Sequence, residues 1–231
     1  MTKAGKGTRD LSQDRAAALK LVPVSRETTE RLDRFVALLL EWQARINLIA
    51  PSTMPEVWTR HIADSLQLLE VIPATEVIPG RAGPKTWVDF GSGGGFPAIP
   101  VACALAETPG AQVHLIESNG KKAAFLREAI RLLHLPAQVH NERVEKFVES
   151  WDGIADVVSA RALAPLKTLC DQAFPLISKG AIGLFLKGQD VDAELTDAAK
   201  CWRLEASKVP SKTSPTGCIV VIRSLKPRIR A

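Results

Sequence analysis

The 231-residue sequence predicts an α/β fold, a doubly wound sheet with a helical cap in front of it. Trp87–Phe90 is a short apolar run interrupted by one acid, Asp89, and it leads into four glycines, Gly91, Gly93, Gly94 and Gly95. From there to Lys187, short β-patterned runs alternate with helix-length stretches. Ahead of them, residues 25–70 show helical periodicity.

Residues 1–24 have little apolar periodicity, and the first twenty carry five basic and two acidic groups, so a flexible basic arm is expected there. From Glu27, the residues Leu32, Phe35, Val36, Leu39, Trp42 and Ile46 recur at threes and fours on one helix face. Thr53-Met-Pro-Glu56 reads as a capping box with proline in the first turn, opening a helix that turns Trp58, Ile62, Leu66 and Leu69 to a core. Residues 25–75 form the cap, and Pro73–Pro84 is a Pro/Gly-rich connector. The core, 85–224, has strands at 87–90, 112–117, 137–140, 155–159, 181–187 and 218–223. Helices are expected at 97–107, 120–134 and 165–178, with a further segment at 142–149, and residues 225–231 form a basic tail. Cap and core are expected to make one structural unit, with no internal repeat.

A composition of 46% hydrophobic and 24% charged residues suits a single large core. The polar first twenty residues lack the apolar segment of a secretory signal, and the longest apolar stretch, Ala98–Ala106, is too short to span a bilayer. Four scattered cysteines with no Cys-x-x-Cys pair read as reduced thiols in a cytoplasmic protein, not as a metal site. The net charge of +5 resides in the two ends, leaving the body of the chain slightly acidic. Basic ends suit nonspecific phosphate contacts with RNA and also suit plain solvated tails.

The glycine turn lets a ligand lie against bare backbone, with helix N–H groups facing its polar atoms. The dinucleotide fingerprint G-x-G-x-x-G fails from Gly91, because Phe96 takes the third place, and from Gly93 it is met only by Ala98. Acid-x-G-x-G-x-G fits without adjustment as Asp89, Gly91, Gly93 and Gly95, and resembles the first motif of S-adenosylmethionine-dependent methyltransferases. Glu117 ends the second strand 22 residues after Gly95, placed to accept from ribose hydroxyls or, alternatively, to start a helix as an acid opposite its dipole. Arg60, His61, Asp64 and Ser65 cluster on one side of the second cap helix, as a structural pair or as a face closing over the turn. A Ser–His–Asp hydrolase does not fit, because no strained strand–helix elbow carries the serine.

Asn47-Leu48, Arg60-His61-x-x-Asp64-Ser65, the turn from Asp89 to Pro100, Glu117-Ser118 with Lys121-Lys122, Arg143-Val144-Glu145, Arg161-Ala162 and Leu186-Lys187-Gly188-Gln189 occur in that order. Together, across residues 27–223, they resemble the bacterial family of guanine-N7 methyltransferases of 16S ribosomal RNA, the glucose-inhibited division protein B family. Gly94 stands where that family frequently has proline, and Ala160 separates Ser159 from Arg161. The resemblance implies a Rossmann-like class I methyltransferase sheet, S-adenosyl-L-methionine as cofactor, and 16S rRNA or the small ribosomal subunit as partner. It implies cofactor contacts from Asp89, Gly91, Gly93, Gly95, Phe96, Glu117, Val144, Glu145 and Arg161, with Phe96 shielding the donor and Val144 and Glu145 beside adenine. Arg60, Arg161 and Lys187 are expected to grip phosphates or the guanine O6 edge, while His61, Asp64 and Asn47 organise the junction of cap and sheet. A monomer acting away from membranes is expected. An NAD-dependent oxidoreductase and a non-catalytic RNA-binding or ribosome-assembly module remain as alternatives at this point.

Overall fold

A computed structural model of the chain describes residues 10–72 and 85–228. Its centre is one sheet of seven strands, β1 (Thr86–Phe90), β2 (Gln112–Ile116), β3 (Ala137–His140), β4 (Val157–Arg161), β5 (Ile182–Lys187), β6 (Trp202–Pro210) and β7 (Cys218–Pro227), in the order β3-β2-β1-β4-β5-β7-β6. The first five strands run parallel, and β7 lies antiparallel between β5 and β6. The strand order reverses at β1, which has β2 on one side and β4 on the other. Connections leave that point in opposite directions and open a crevice at the carboxyl ends of β1 and β4, the switch point where doubly wound sheets bind ligands.

The helices are α1 (Ser12–Leu21), α2 (Arg26–Gln43), α3 (Asp64–Leu66), α4 (Leu68–Val71), α5 (Ala98–Leu105), α6 (Gly120–Leu133), α7 (Val144–Ser150), α8 (Leu166–Ile177) and α9 (Val191–Cys201). Alternate residues of β1 feed opposite faces: Trp87 joins one apolar cluster with the cap, α5 and α6, while Val88 and Phe90 join a second with α7, α8 and α9. The amphipathic α2 supplies Leu32, Phe35, Val36 and Leu39 to the first cluster, as its periodicity requires. Phe35 stands 5.5 Å from Phe96 and 6.2 Å from Phe125, ring centre to ring centre, so the cap packs directly over the turn after β1.

Several expectations are corrected. Within the stretch expected as a flexible basic arm, residues 12–21 form α1, which buries Ala18 and is followed by buried Val22. A helix that buries so little apolar surface leaves little periodic signal. Polar contacts dock it instead: Arg15 makes a two-pronged ion pair with Asp33 at 2.7 and 2.8 Å, and Asp14 accepts the Trp58 and Thr59 N–H groups at 2.7 and 3.2 Å. Thr53–Glu56 does not form a capping box. It lies in a 3-10 turn, Pro51–Glu56, ahead of a π-helical turn, Trp58–Ala63, whose free N–H groups Asp14 satisfies from across the cap. Helix α9 and strand β6 were not expected. Residues 225–227, counted with the tail, continue β7, and the connector Pro73–Pro84 lies outside the described residues.

Asp14→Ala removes two helix N–H partners at once and should lower the urea-unfolding free energy by about 1–2 kcal/mol. An unchanged unfolding midpoint would show that α1 does not cap the π-helical turn in solution.

Candidate functional site

The turn after β1 depends on its glycines. Gly91, Gly93 and Gly95 have φ of 66°, 55° and 91°, a region that side-chain-bearing residues rarely enter. Ser92 N–H donates to the Ile116 carbonyl at 3.0 Å, and Gly95 N–H donates to the Ser92 carbonyl at 2.7 Å. Beneath the turn Asp89 is fully buried, and its carboxyl oxygens accept from Ser159 Oγ at 2.6 Å and Ser92 Oγ at 2.7 Å. Burial pushes the Asp89 carboxyl up to about 7, against the Ser159 and Ser92 hydroxyls, which pull it down.

A cleft of about 250 Å3 opens beside this turn, walled by Gly91, Gly93, Glu117, Val144, Glu145 and Leu163 among others. Glu117 is 8% exposed and already oriented: Oε2 accepts Gly93 N–H at 2.8 Å, and Oε1 accepts Asn119 N–H at 2.7 Å. Each carboxylate oxygen keeps a lone pair for a hydroxyl donor. A Cβ on Gly91 would lie 2.6 Å from Leu163 Cδ1, so the Leu163 side chain rests directly on the bare Gly91 backbone. Val144 opens α7, and the exposed Glu145 accepts from Gln172 Nε2 at 2.6 Å. Its own backbone N–H and then Gln172 hold the Glu145 carboxyl below its ordinary value. Asp89, Gly95 and Phe96 do not line the cleft. The Phe96 ring lies 5.5 Å from Phe35 and 4.8 Å from His61, with the Arg161 guanidinium 5.9 Å above it.

A second cavity, about 340 Å3, adjoins the first and is lined by Arg60, Asp64, Arg161, Lys187 and Thr213 among others. Ala162 lines both, with φ of 51°, a conformation alanine adopts only under constraint. Arg161 ends β4 and donates from Nη2 to His61 Nδ1 at 2.8 Å, while Nη1 stands 3.5 Å from Asp64 Oδ2. Because arginine can only donate, His61 Nδ1 must be the acceptor, so Nε2 carries the proton and donates to Thr53 Oγ1 at 2.8 Å. Burial, then the Arg161 and Arg60 charges, hold the imidazole down at about 3, which keeps it neutral. Arg161 Nη1 is buried with no hydrogen-bond partner among the described residues.

The cap and the segment between β6 and β7 close this cavity together. Asp64 Oδ1 accepts from Thr213 Oγ1 at 2.6 Å and from Gln67 Nε2 at 2.8 Å, and Gln67 Oε1 accepts Lys212 N–H at 2.8 Å. Thr213, Gln67 and Leu163 were missed by sequence reasoning, since nothing local marks them. Ser65 donates to the His61 carbonyl at 2.6 Å, away from the ring, so no hydrolytic triad forms. Asn47 is exposed, and it is Gln43 that holds its loop by accepting the Leu48 and Ile49 N–H groups. Arg60 is exposed at the cavity mouth, whereas Lys187 is turned inward onto Glu194 at 2.6 Å.

His61 gives a signed pH dependence. Its folded value of about 3 lies below the 6.5 of the unfolded chain, so between those values only the unfolded chain binds the proton, and stability falls as pH falls from 6.5. His61→Gln should unfold with a shallower pH dependence between pH 4 and 6.5, seen in urea midpoints. Identical slopes for both proteins would mean that the imidazole is not buried neutral.

The family model described as "GidB: rRNA small subunit methyltransferase G" matches residues 28–218. A Bradyrhizobium sp. (strain ORS 278) protein named ribosomal RNA small subunit methyltransferase G is 55% identical over 227 residues, 98% of each chain. A protein of the same name from Rhodopseudomonas palustris (strain BisB18) is 53% identical, covering 95% of this chain and 90% of its own. Among solved structures, an O-methyltransferase from Bacillus cereus in complex with SAH superposes with a TM-score of 0.58 at 12% identity, covering 92% of this chain and 99% of its own. One from Streptomyces achromogenes in complex with SAM gives 0.53 at 13% identity, over 93% and 99%. Those two likenesses establish the class I methyltransferase fold that the sequence motifs implied. With the model match and the near full-length relatives, the chain belongs to the rRNA small subunit methyltransferase G (GidB) family.

Proposed function

We propose that this protein transfers a methyl group from S-adenosyl-L-methionine to N7 of a guanosine in the decoding-region loop of 16S rRNA, as a monomer in the cytoplasm. The observation that carries the reading is the meeting of two cavities at Ala162: a glycine-floored cleft with a fixed carboxylate, and a cavity edged by cations. The cleft suits the donor. Gly91 and Gly93 offer bare backbone, Glu117 is held by two N–H groups for the ribose hydroxyls, and Val144 and Glu145 stand where adenine would lie. Bound there, the donor supplies an electrophilic methyl group on a sulfonium.

The neighbouring cavity suits the acceptor. An unstacked guanine presents O6 and N7 on one edge, and a cation is the natural partner for O6. Arg161 lines that wall, and its Nη1 makes no hydrogen bond and stands 3.5 Å from Asp64 Oδ2, so the guanidinium is assigned to O6, which leaves the N7 lone pair free to attack. Arg60 at the mouth is the cation best placed for RNA phosphate. The oxidoreductase alternative is set aside. Glu117 already occupies the Gly93 N–H, so a dinucleotide diphosphate would meet a carboxylate where it needs a donor.

Incubation with tritiated donor and small-subunit rRNA, followed by digestion to nucleosides, should place the label in 7-methylguanosine. Label in another nucleoside, or none, would overturn the proposal. Arg161→Ala should lower turnover by about 100-fold or more while the protein remains folded by circular dichroism. Unchanged methylation by that variant would remove Arg161 from the site.

A further inference from the structure

Lys187 and Glu194 border the second cavity, yet their charges are directed at the backbone of the loop dividing it from the first. The Lys187 side chain, at the end of β5, is 9% exposed, and its Nζ lies 2.6 Å from Glu194 Oε2 on α9. The same ammonium donates to the Ala164 carbonyl at 2.7 Å, and the same glutamate oxygen accepts the Leu166 N–H at 2.5 Å. Between those two clamped groups sits Pro165, whose φ is locked by its ring, at the start of α8. The other end of the loop is tied through Arg161 to His61 and Asp64. Ala162, the left-handed corner facing both cavities, lies between the two anchors.

We infer that Lys187 and Glu194 form a latch that fixes the 161–165 partition, and that Lys187 serves methyl transfer by positioning this wall and not by contacting RNA phosphate. Assigning donor and acceptor to the two sides rests on the function proposed above, whereas the latch belongs to the free protein. Its chemistry is that of a mostly buried ion pair: removing one member leaves the other charge without a partner, so either loss alone releases the loop. Loss of Lys187 frees the Ala164 carbonyl and loss of Glu194 frees the Leu166 N–H, each leaving the other anchor held by an unpaired charge, and Ala162 is then free to leave its disfavoured conformation. Glu194 is therefore a positioning residue contributed by α9, a helix that touches neither cavity through any other side chain.

The test uses the full chain with Lys187→Met, Glu194→Gln and the double variant. Hydrogen exchange of the 161–167 segment, measured without donor or RNA, should accelerate about tenfold in each single variant while the rest of α8 stays protected. In methyl transfer, kcat should fall about tenfold in each, with the KM for RNA and its salt dependence nearly unchanged. The double variant should be no worse than either single one, as expected of two residues acting as one unit. Unchanged exchange in the single variants would overturn the latch. So would a Lys187→Met variant with raised RNA KM and a salt slope lowered by about one beside a silent Glu194→Gln, the behaviour of a phosphate contact. If the wild-type protein transfers no methyl group, the proposed function fails, and the exchange measurement alone still decides the latch.

Discussion

Both cavities are positioned by the carboxyl group of Asp89, which has no exposed surface. A carboxyl group in the interior is costly unless its lone pairs are satisfied, and here they are satisfied from two sides of the crevice. Ser159 reaches it from β4 in direct register, and Ser92 reaches it from the turn. Trp87 donates its indole N–H to Ser159 Oγ at 2.8 Å, which turns the serine proton toward the carboxyl. The end of β1, the end of β4 and the glycine turn are thereby one unit. Gly91 and Gly93 on one side and Arg161 on the other, two residues beyond Ser159, take their places from it.

The cap is bound to that unit by the contact that aims Arg161. The hydrogen bonds run in one direction, from Arg161 to His61 Nδ1, from His61 Nε2 to Thr53 Oγ1, and from Thr53 Oγ1 to the Ala50 carbonyl. A protonated imidazole would break the first link, because Nδ1 could no longer accept. Burial and the flanking arginines prevent this by keeping His61 neutral. Closure of the cap and orientation of the guanidinium are the same interaction. The segment between β6 and β7 joins through Asp64 and Gln67, so the second cavity is assembled from three distant parts of the chain.

What was legible in the sequence follows from where each feature's cause resides. The glycine turn and Glu117 were readable because tight turns and strand ends are dictated by a few adjacent residues, and α2 because it buries one continuous face. Helix α9 buries only Val191 and Ala198, and the edge strand β6 leaves most of its side chains exposed, so neither carries a clear apolar period. The partners of Asp14 and Lys187 lie far along the chain, and Thr53 turns to His61 eight residues on, outside any helix-start spacing, so local spacing holds no record of them. The capping-box reading of Thr53–Glu56 failed for that reason: the threonine serves His61, and the helix start is satisfied by Asp14. Lys187 was expected to grip phosphate or the guanine O6 edge; it lines the second cavity, and its direction depends on an acid from helix α9.

The ionisable groups around the two cavities bear on which acceptor the site can methylate. Methylation of an exocyclic amine or a hydroxyl requires a base to take up a proton, whereas guanine N7 has a free lone pair and no proton to lose. Beside the second cavity, His61 has both ring nitrogens engaged, Asp64 and Glu194 are committed to neighbouring side chains and backbone, and the buried Asp89 has both carboxyl oxygens hydrogen-bonded. Among the described residues, a cavity whose lining acids, Asp64 and Glu194, are held as struts beside a fixed imidazole offers position in place of proton transfer. Holding a nucleophile in line with an electrophilic methyl group supplies a large share of such a barrier through orientation alone. The same commitments that make these groups poor bases make the walls rigid, so the structure favours an acceptor that arrives ready to react.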